Sequence, residues 1–229
     1  MKNRLSSCLL SIIASALAAQ ISIASPFSNG NFDTGSPTNG LLNSGDSVSI
    51  PSWTTGGPSQ TLEFNTNFNG QTAQSGANFI SFGHNGTTGG TLSQTFDTIV
   101  GAVYQVSYFV SRIQGGTSAQ SMSVSAFVGT SAVLLNSAAT TIPDAGQNNV
   151  WTAGTGLTFT ALSNTTTLQF LDTTPAGGGV DSNWALDTVG VITARGPSNG
   201  VPESGSTLAL TALSLLGLVA SRRWFARAH

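Results

Sequence analysis

Apolar and polar residues alternate along most of the chain. Tyr104, Val106, Tyr108 and Val110 alternate with Gln105, Ser107 and Ser111. Met122, Val124, Ala126 and Val128 alternate with serines and Phe127. Leu157, Phe159 and Ala161 alternate with Thr158 and Thr160, and Leu168 and Phe170 flank Gln169. Side chains on a strand point to opposite faces in turn, so a period of two predicts strands with one face on a core. Further strands are expected at Thr61–Asn65, Asn78–Phe82, Thr91–Phe96, Ala132–Ala138 and Ala185–Ile192. Gly- and Asn-rich turns separate them, such as His84-Asn85-Gly86 and Ala176–Gly179. Many short strands punctuated by turns predict an all-β sandwich.

The pattern changes at both ends. Lys2 and Arg4 precede an apolar stretch from Leu5 to Ala19, followed by small residues up to Ala24. That is the layout of a secretory signal peptide over 1–24, implying export through the Sec route. The only cysteine, Cys8, lies inside it, so cleavage leaves no thiol and no disulfide. At the other end, Val201-Pro202-Glu203-Ser204-Gly205-Ser206-Thr207 precedes an uncharged run, Leu208–Ala220, and then Arg222, Arg223 and Arg227. As a helix, those thirteen residues would cover only ~20 Å of a ~30 Å hydrocarbon core. With the flanking residues and snorkelling arginines, a helix over about 206–225 approaches a full span. Arginines beyond an apolar span act as a stop on the cytoplasmic side.

This tail resembles the PEP-CTERM sorting signal, and in particular its VPDSG-type relative. Val201, Pro202, Glu203, Ser204 and Gly205 carry the motif, with Glu203 where the variant has aspartate. The resemblance implies an exosortase as partner, a transient inner-membrane anchor, and final placement at the cell surface or in the extracellular matrix.

Charge alters the picture of the middle. Over Ser25–Arg195 there are eight acids and two bases, Arg112 and Arg195, a net −6. With so few cations to release counterions from phosphates, nucleic-acid binding is not expected. Catalytic spacing is also missing: Glu63 is the one glutamate of this region and His84 its one histidine, in a turn that reads as solvated. Neither a carboxylate pair for glycoside hydrolysis nor a serine triad is evident. A non-enzymatic role is expected.

Order along the middle carries a second resemblance. Asn29-Gly30-Asn31-Phe32-Asp33 is followed by Pro51-Ser52-Trp53, Gly76-Ala77-Asn78-Phe79-Ile80, Leu92–Phe96, Gly101–Tyr104, Val150-Trp151, Leu168-Gln169-Phe170 and Ala185–Val189. The order resembles the galactose-binding-like jelly roll of carbohydrate-binding modules and of the DUF642 and choice-of-anchor surface proteins. The resemblance implies one domain over 25–195, a linker at 196–200, and structural calcium where the opening segment meets the last strand. Asp33 and Asp187 stand at those two places, although as residues they read equally well as turn caps. Trp53 and Trp151 match packing positions of the resembled family. Trp184, after Asp181-Ser182-Asn183, stands at the mouth of the last strand, so Trp184 and Asn183 are the expected ligand-binding residues. Two roles are left open: a structural or adhesive surface protein, and a module recognising extracellular polysaccharide.

Overall fold

The computed structural model describes residues 26–37, 40–113, 120–142, 149–175 and 183–196. The expected signal peptide, most of the linker and the whole sorting signal lie outside the described residues. So do the acids Asp144 and Asp181.

Two antiparallel sheets face each other. The larger runs β1 (Gly40–Leu42), β3 (Leu62–Asn65), β6 (Phe79–Phe82), β14 (Trp184–Arg195), β8 (Val103–Arg112) and β11 (Thr152–Ala153), with β12 (Leu157–Thr160) also on β8. The smaller runs β10 (Leu134–Ile142), β9 (Gln120–Val128), β13 (Thr165–Asp172), β7 (Thr91–Asp97) and β2 (Thr54–Gly56). A small hairpin, β4 (Asn67–Phe68) with β5 (Gln71–Thr72), stands apart. Among the described residues the only helical turn is a 3-10 turn, His84–Gly86.

The alternation read from the sequence is the core. Tyr104, Val106, Tyr108 and Val110 of β8 meet Leu168 and Phe170 of β13 and Met122, Val124 and Ala126 of β9. Trp53 fills the space between Phe27, Phe32 and Phe170. Each fully buried side chain of this size contributes about 1.5–3 kcal/mol of transfer free energy. That burial holds the domain without a disulfide.

Three details depart from the expected strands. Val128, expected to face inward, is partly exposed, because β9 ends there and turns at Gly129. The strand expected at Ala132–Ala138 is Leu134–Ile142, with a bulge between Leu134 and Asn136 that resets its alternation. β3 and β6 are buried on both faces rather than one. On the outer face of β6 and β14 lies a second small core, in which Phe79, Ile113 and Ala185 pack against Phe68, Ala73 and Trp151.

Candidate functional site

The last strand brings the expected site residues together in unexpected ways. Trp184 and Leu186 take the inward parity of β14, in register with Phe82 and Ile80 of β6. Trp184 is 0 % exposed and lies flat on Phe82, ring centroids 4.1 Å apart and planes 2° from parallel. Asn183 is buried too, its carbonyl accepting from Ile113 N–H at 3.0 Å. The expected sugar platform at Trp184 and Asn183 is therefore corrected: position 184 falls on the inner face, so no ring face meets solvent. Trp53 and Trp151 take the packing roles expected of them. Trp53 Nε1–H donates to Asn29 O at 2.9 Å, and Trp151 Nε1–H donates to Thr72 O at 3.0 Å.

Asp33 and Asp187 do sit where the opening segment docks on β14. Val189 N–H donates to Gly30 O at 2.8 Å, and a Cβ on Gly30 would lie 1.9 Å from Val189 O, so only glycine permits this approach. Between the two carboxylates runs the loop 73–78. Asp33 Oδ1 accepts from Ala77 N–H at 2.7 Å, and Asp33 Oδ2 from Asn31 Nδ2 at 2.6 Å. Asp187 Oδ2 accepts from Gln74 N–H at 2.7 Å and Ser75 N–H at 3.2 Å, while Oδ1 accepts from Thr188 N–H at 2.6 Å. Gly76 has φ +71°, and a Cβ there would lie 2.0 Å from Asp33 Oδ2. Thr188 takes φ +51°, an uncommon conformation for a β-branched residue, inside the bulge that aims Asp187 at this loop. Burial pushes the Asp187 carboxyl up to about 6; its three backbone donors oppose the rise and the Asp33 charge adds to it.

This donor set does not fit calcium. Calcium gathers six to eight oxygens, whereas the groups aimed at these carboxylates are N–H donors, whose positive ends would repel a cation. Among the described residues no three His, Cys, Asp or Glu side chains form a metal-binding group. The two aspartates act as hydrogen-bonded staples, tying the opening segment and β14 to one loop. Melting in EDTA and in excess Ca²⁺ at neutral pH is expected to give the same midpoint. A calcium-dependent rise that disappears in Asp187→Asn would restore the metal reading.

One pair was not legible in the sequence. His84 Nδ1 lies 2.8 Å from Glu63 Oε1, with the Glu63 side chain 8 % exposed. The two atoms approach closely without hydrogen-bond alignment. It forms because Leu62 and Phe82 are register partners, which places the turn after β6 over the side of β3. The residues are 21 positions apart, and no local pattern links them.

The outer face of the smaller sheet has a different character. Register sets Thr54, Ser93, Gln169, Ser125 and Ser137 in one row across its five strands. The next row is Thr95, Thr167 and Phe127. Thr95 and Thr167 hydroxyls bond each other at 2.7 Å. No side chain in these two rows is charged. Partly exposed Phe127, with Thr130, Ser131, Ala132, Thr167 and Gln169, lines an open groove of about 280 Å³.

A family model described as a protein of unknown function, DUF642, matches residues 25–183. The chain belongs to the DUF642 family. The matched region stops one residue before β14, the strand that lies between β6 and β8 in the larger sheet. No curated protein matches the DUF642 chain in sequence. Among solved structures, TmCBM61 in complex with β-1,4-galactotriose is similar, at 13% identity and a TM-score of 0.51 over 73% of this chain and 97% of that one. The arabinose-bound α-L-arabinofuranosidase MgGH51 is similar at 12% identity and a TM-score of 0.50, over 73% of this chain and 26% of that one. These likenesses show the fold: the DUF642 domain is a β-sandwich like the jelly rolls of carbohydrate-binding modules.

Proposed function

We propose that this DUF642 protein is an exported, non-catalytic carbohydrate-binding protein, which holds an extracellular polysaccharide along the outer face of its smaller sheet. Of the two roles left open by the sequence, the fold favours this one over a purely structural or adhesive role. The observation that carries it is the uncharged row of hydroxyl and amide groups leading to Phe127. Hydroxyls both donate and accept, matching sugar hydroxyls. An aromatic ring beside them offers an apolar surface to sugar C–H groups. Of the two bound sugars named above, β-1,4-galactotriose in TmCBM61 is an uncharged oligosaccharide, as this face would require.

Delivery belongs to the same proposal. A signal peptide over 1–24 and an exosortase-handled tail over 201–229, with basic stop Arg222, Arg223 and Arg227, would carry the domain through the inner membrane to the surface. Among the described residues no helix is long and apolar enough to cross a membrane; the tail lies outside them.

A glycan array probed with the full chain tests the binding claim. Neutral β-linked oligosaccharides are the expected hits. The double variant Phe127→Ala, Gln169→Ala should weaken them at least tenfold with only a small fall in melting temperature, since both side chains are partly exposed on the outer face. Unchanged binding by that variant would move the site off this face, and an array without hits would remove the carbohydrate reading.

A further inference from the structure

The exposed aliphatic residues are not scattered. Nine large hydrophobic side chains are exposed among the described residues, and six of them lie towards one end of the sandwich: Ile99, Val100, Val133, Leu134, Leu162 and Ile192. Each is 52–65 % exposed. Their loops are bonded to one another. Thr98 N–H donates to Asn164 O at 2.8 Å, Gly101 N–H to Ala161 O at 2.8 Å, and Gly129 N–H to Thr165 O at 2.9 Å. Leu134 and Leu162 line one groove of about 350 Å³ between the sheets. Scattered exposed aliphatics need no explanation, but a shared patch marks an interaction surface.

The chain leaves the domain at the same end. Arg195, last residue of β14, is in register with Val103, directly after the Ile99–Ala102 turn. Ile192 pairs with Gln105 just beside it. Twelve residues then separate Arg195 from the uncharged run Leu208–Ala220. Fully extended they reach roughly 40 Å at most, so a tail seated in a bilayer holds this end of the domain within that distance of the lipid surface.

We infer that this end of the sandwich is a bilayer-docking surface, its loop tips Ile99-Val100, Val133-Leu134 and Leu162 dipping into the lipid headgroup region while the tail is in the membrane. The inference rests on the reading that the tail enters the membrane. Several loop backbone groups are already paired, which lowers the cost of leaving water. The charged residues nearest the patch are Asp97 at the end of β7 and exposed Arg195. Arg195 is a single cation at the rim of the patch, where the chain leaves β14. Aliphatic tips projecting from turns suit a soft lipid interface better than a flat protein face.

The test uses the full chain carrying Cys8→Ser, with single cysteines labelled by nitrobenzoxadiazole and vesicles of phosphatidylethanolamine and phosphatidylglycerol. Val100→Cys and Leu162→Cys are expected to brighten several-fold on vesicle addition and to be quenched by lipid-borne spin labels. Val150→Cys is the control: Asn149 N–H bonds to Arg112 O, at the far end of β8, roughly 30 Å from Val103 at ~3.3 Å per residue. Leu215→Cys reports on the tail alone. If Leu215 enters lipid while Val100 stays as watery as Val150, the docking inference is overturned and the anchored tail stands. If Leu215 also stays in water, the membrane reading of the tail fails and takes the inference with it. Brightening at Val100 before any lipid is added would mean that the tail or a second copy covers the patch, and would equally overturn it.

Discussion

Replacing Trp184 with alanine is expected to remove about 3–5 kcal/mol of stability, the range for large aromatic-to-alanine changes in a core. The ring is fully buried and stacked on Phe82, on a strand that pairs with both β6 and β8. Removing it leaves a cavity in the middle of the larger sheet, where strands paired on both sides have little room to collapse. In a domain of this size, 1 kcal/mol shifts the midpoint by about 2–4 °C, so a fall on the order of 10 °C is expected. Trp151→Ala, at a partly exposed ring, should cost much less. Thermal unfolding by near-ultraviolet circular dichroism measures both. A Trp184→Ala variant that melts like the parent but loses glycan binding would show that this ring faces a ligand, as the sequence alone suggested.

Stability should fall as pH rises from 4 to 7. The Asp187 carboxyl is raised from 3.8 to about 6 by burial, so between those values the folded chain keeps a proton that the unfolded chain releases. Its contribution is fully present below about pH 4 and is lost as pH passes through 6. Two pKa units correspond to roughly 3 kcal/mol. Burial also raises Asp172, which acts in the same direction. Asp46 is lowered, chiefly by the Ser49 N–H bond, so the stability it contributes is lost only at more acid pH, below this window. Urea unfolding at pH 4.5 and 7.5 should show the difference, and Asp187→Asn should flatten most of it. A parent protein equally stable at both values, or more stable at the higher, would contradict the account. At neutral pH the staple therefore holds an ionised carboxylate away from water, with backbone N–H groups as its chief compensation.

The period-two alternation of Tyr104–Val110, Met122–Ala126 and Leu157–Ala161 by itself determined that this chain makes strands with one face on a core, because the pleat turns each alternate residue inward whatever its partners. The eight acids against two bases likewise bound the chemistry of the surface before any fold was known. The meeting of Asp33 and Asp187 followed from a resemblance in residue order, and the structure does bring both to one loop. Alternation cannot say what covers the outer face. Ser81 looks like a solvent position until Phe68, Ala73 and Trp151 close over its neighbours Phe79 and Ala185. For the same reason Trp184, read as the lip of a loop, is the centre of a sheet: its inward parity depends on register with Phe82, set by a pairing across about a hundred residues. The gathering of Ile99, Val133, Leu162 and the departing chain at one end also depends on strand order, which long-range pairing decides and local sequence does not encode.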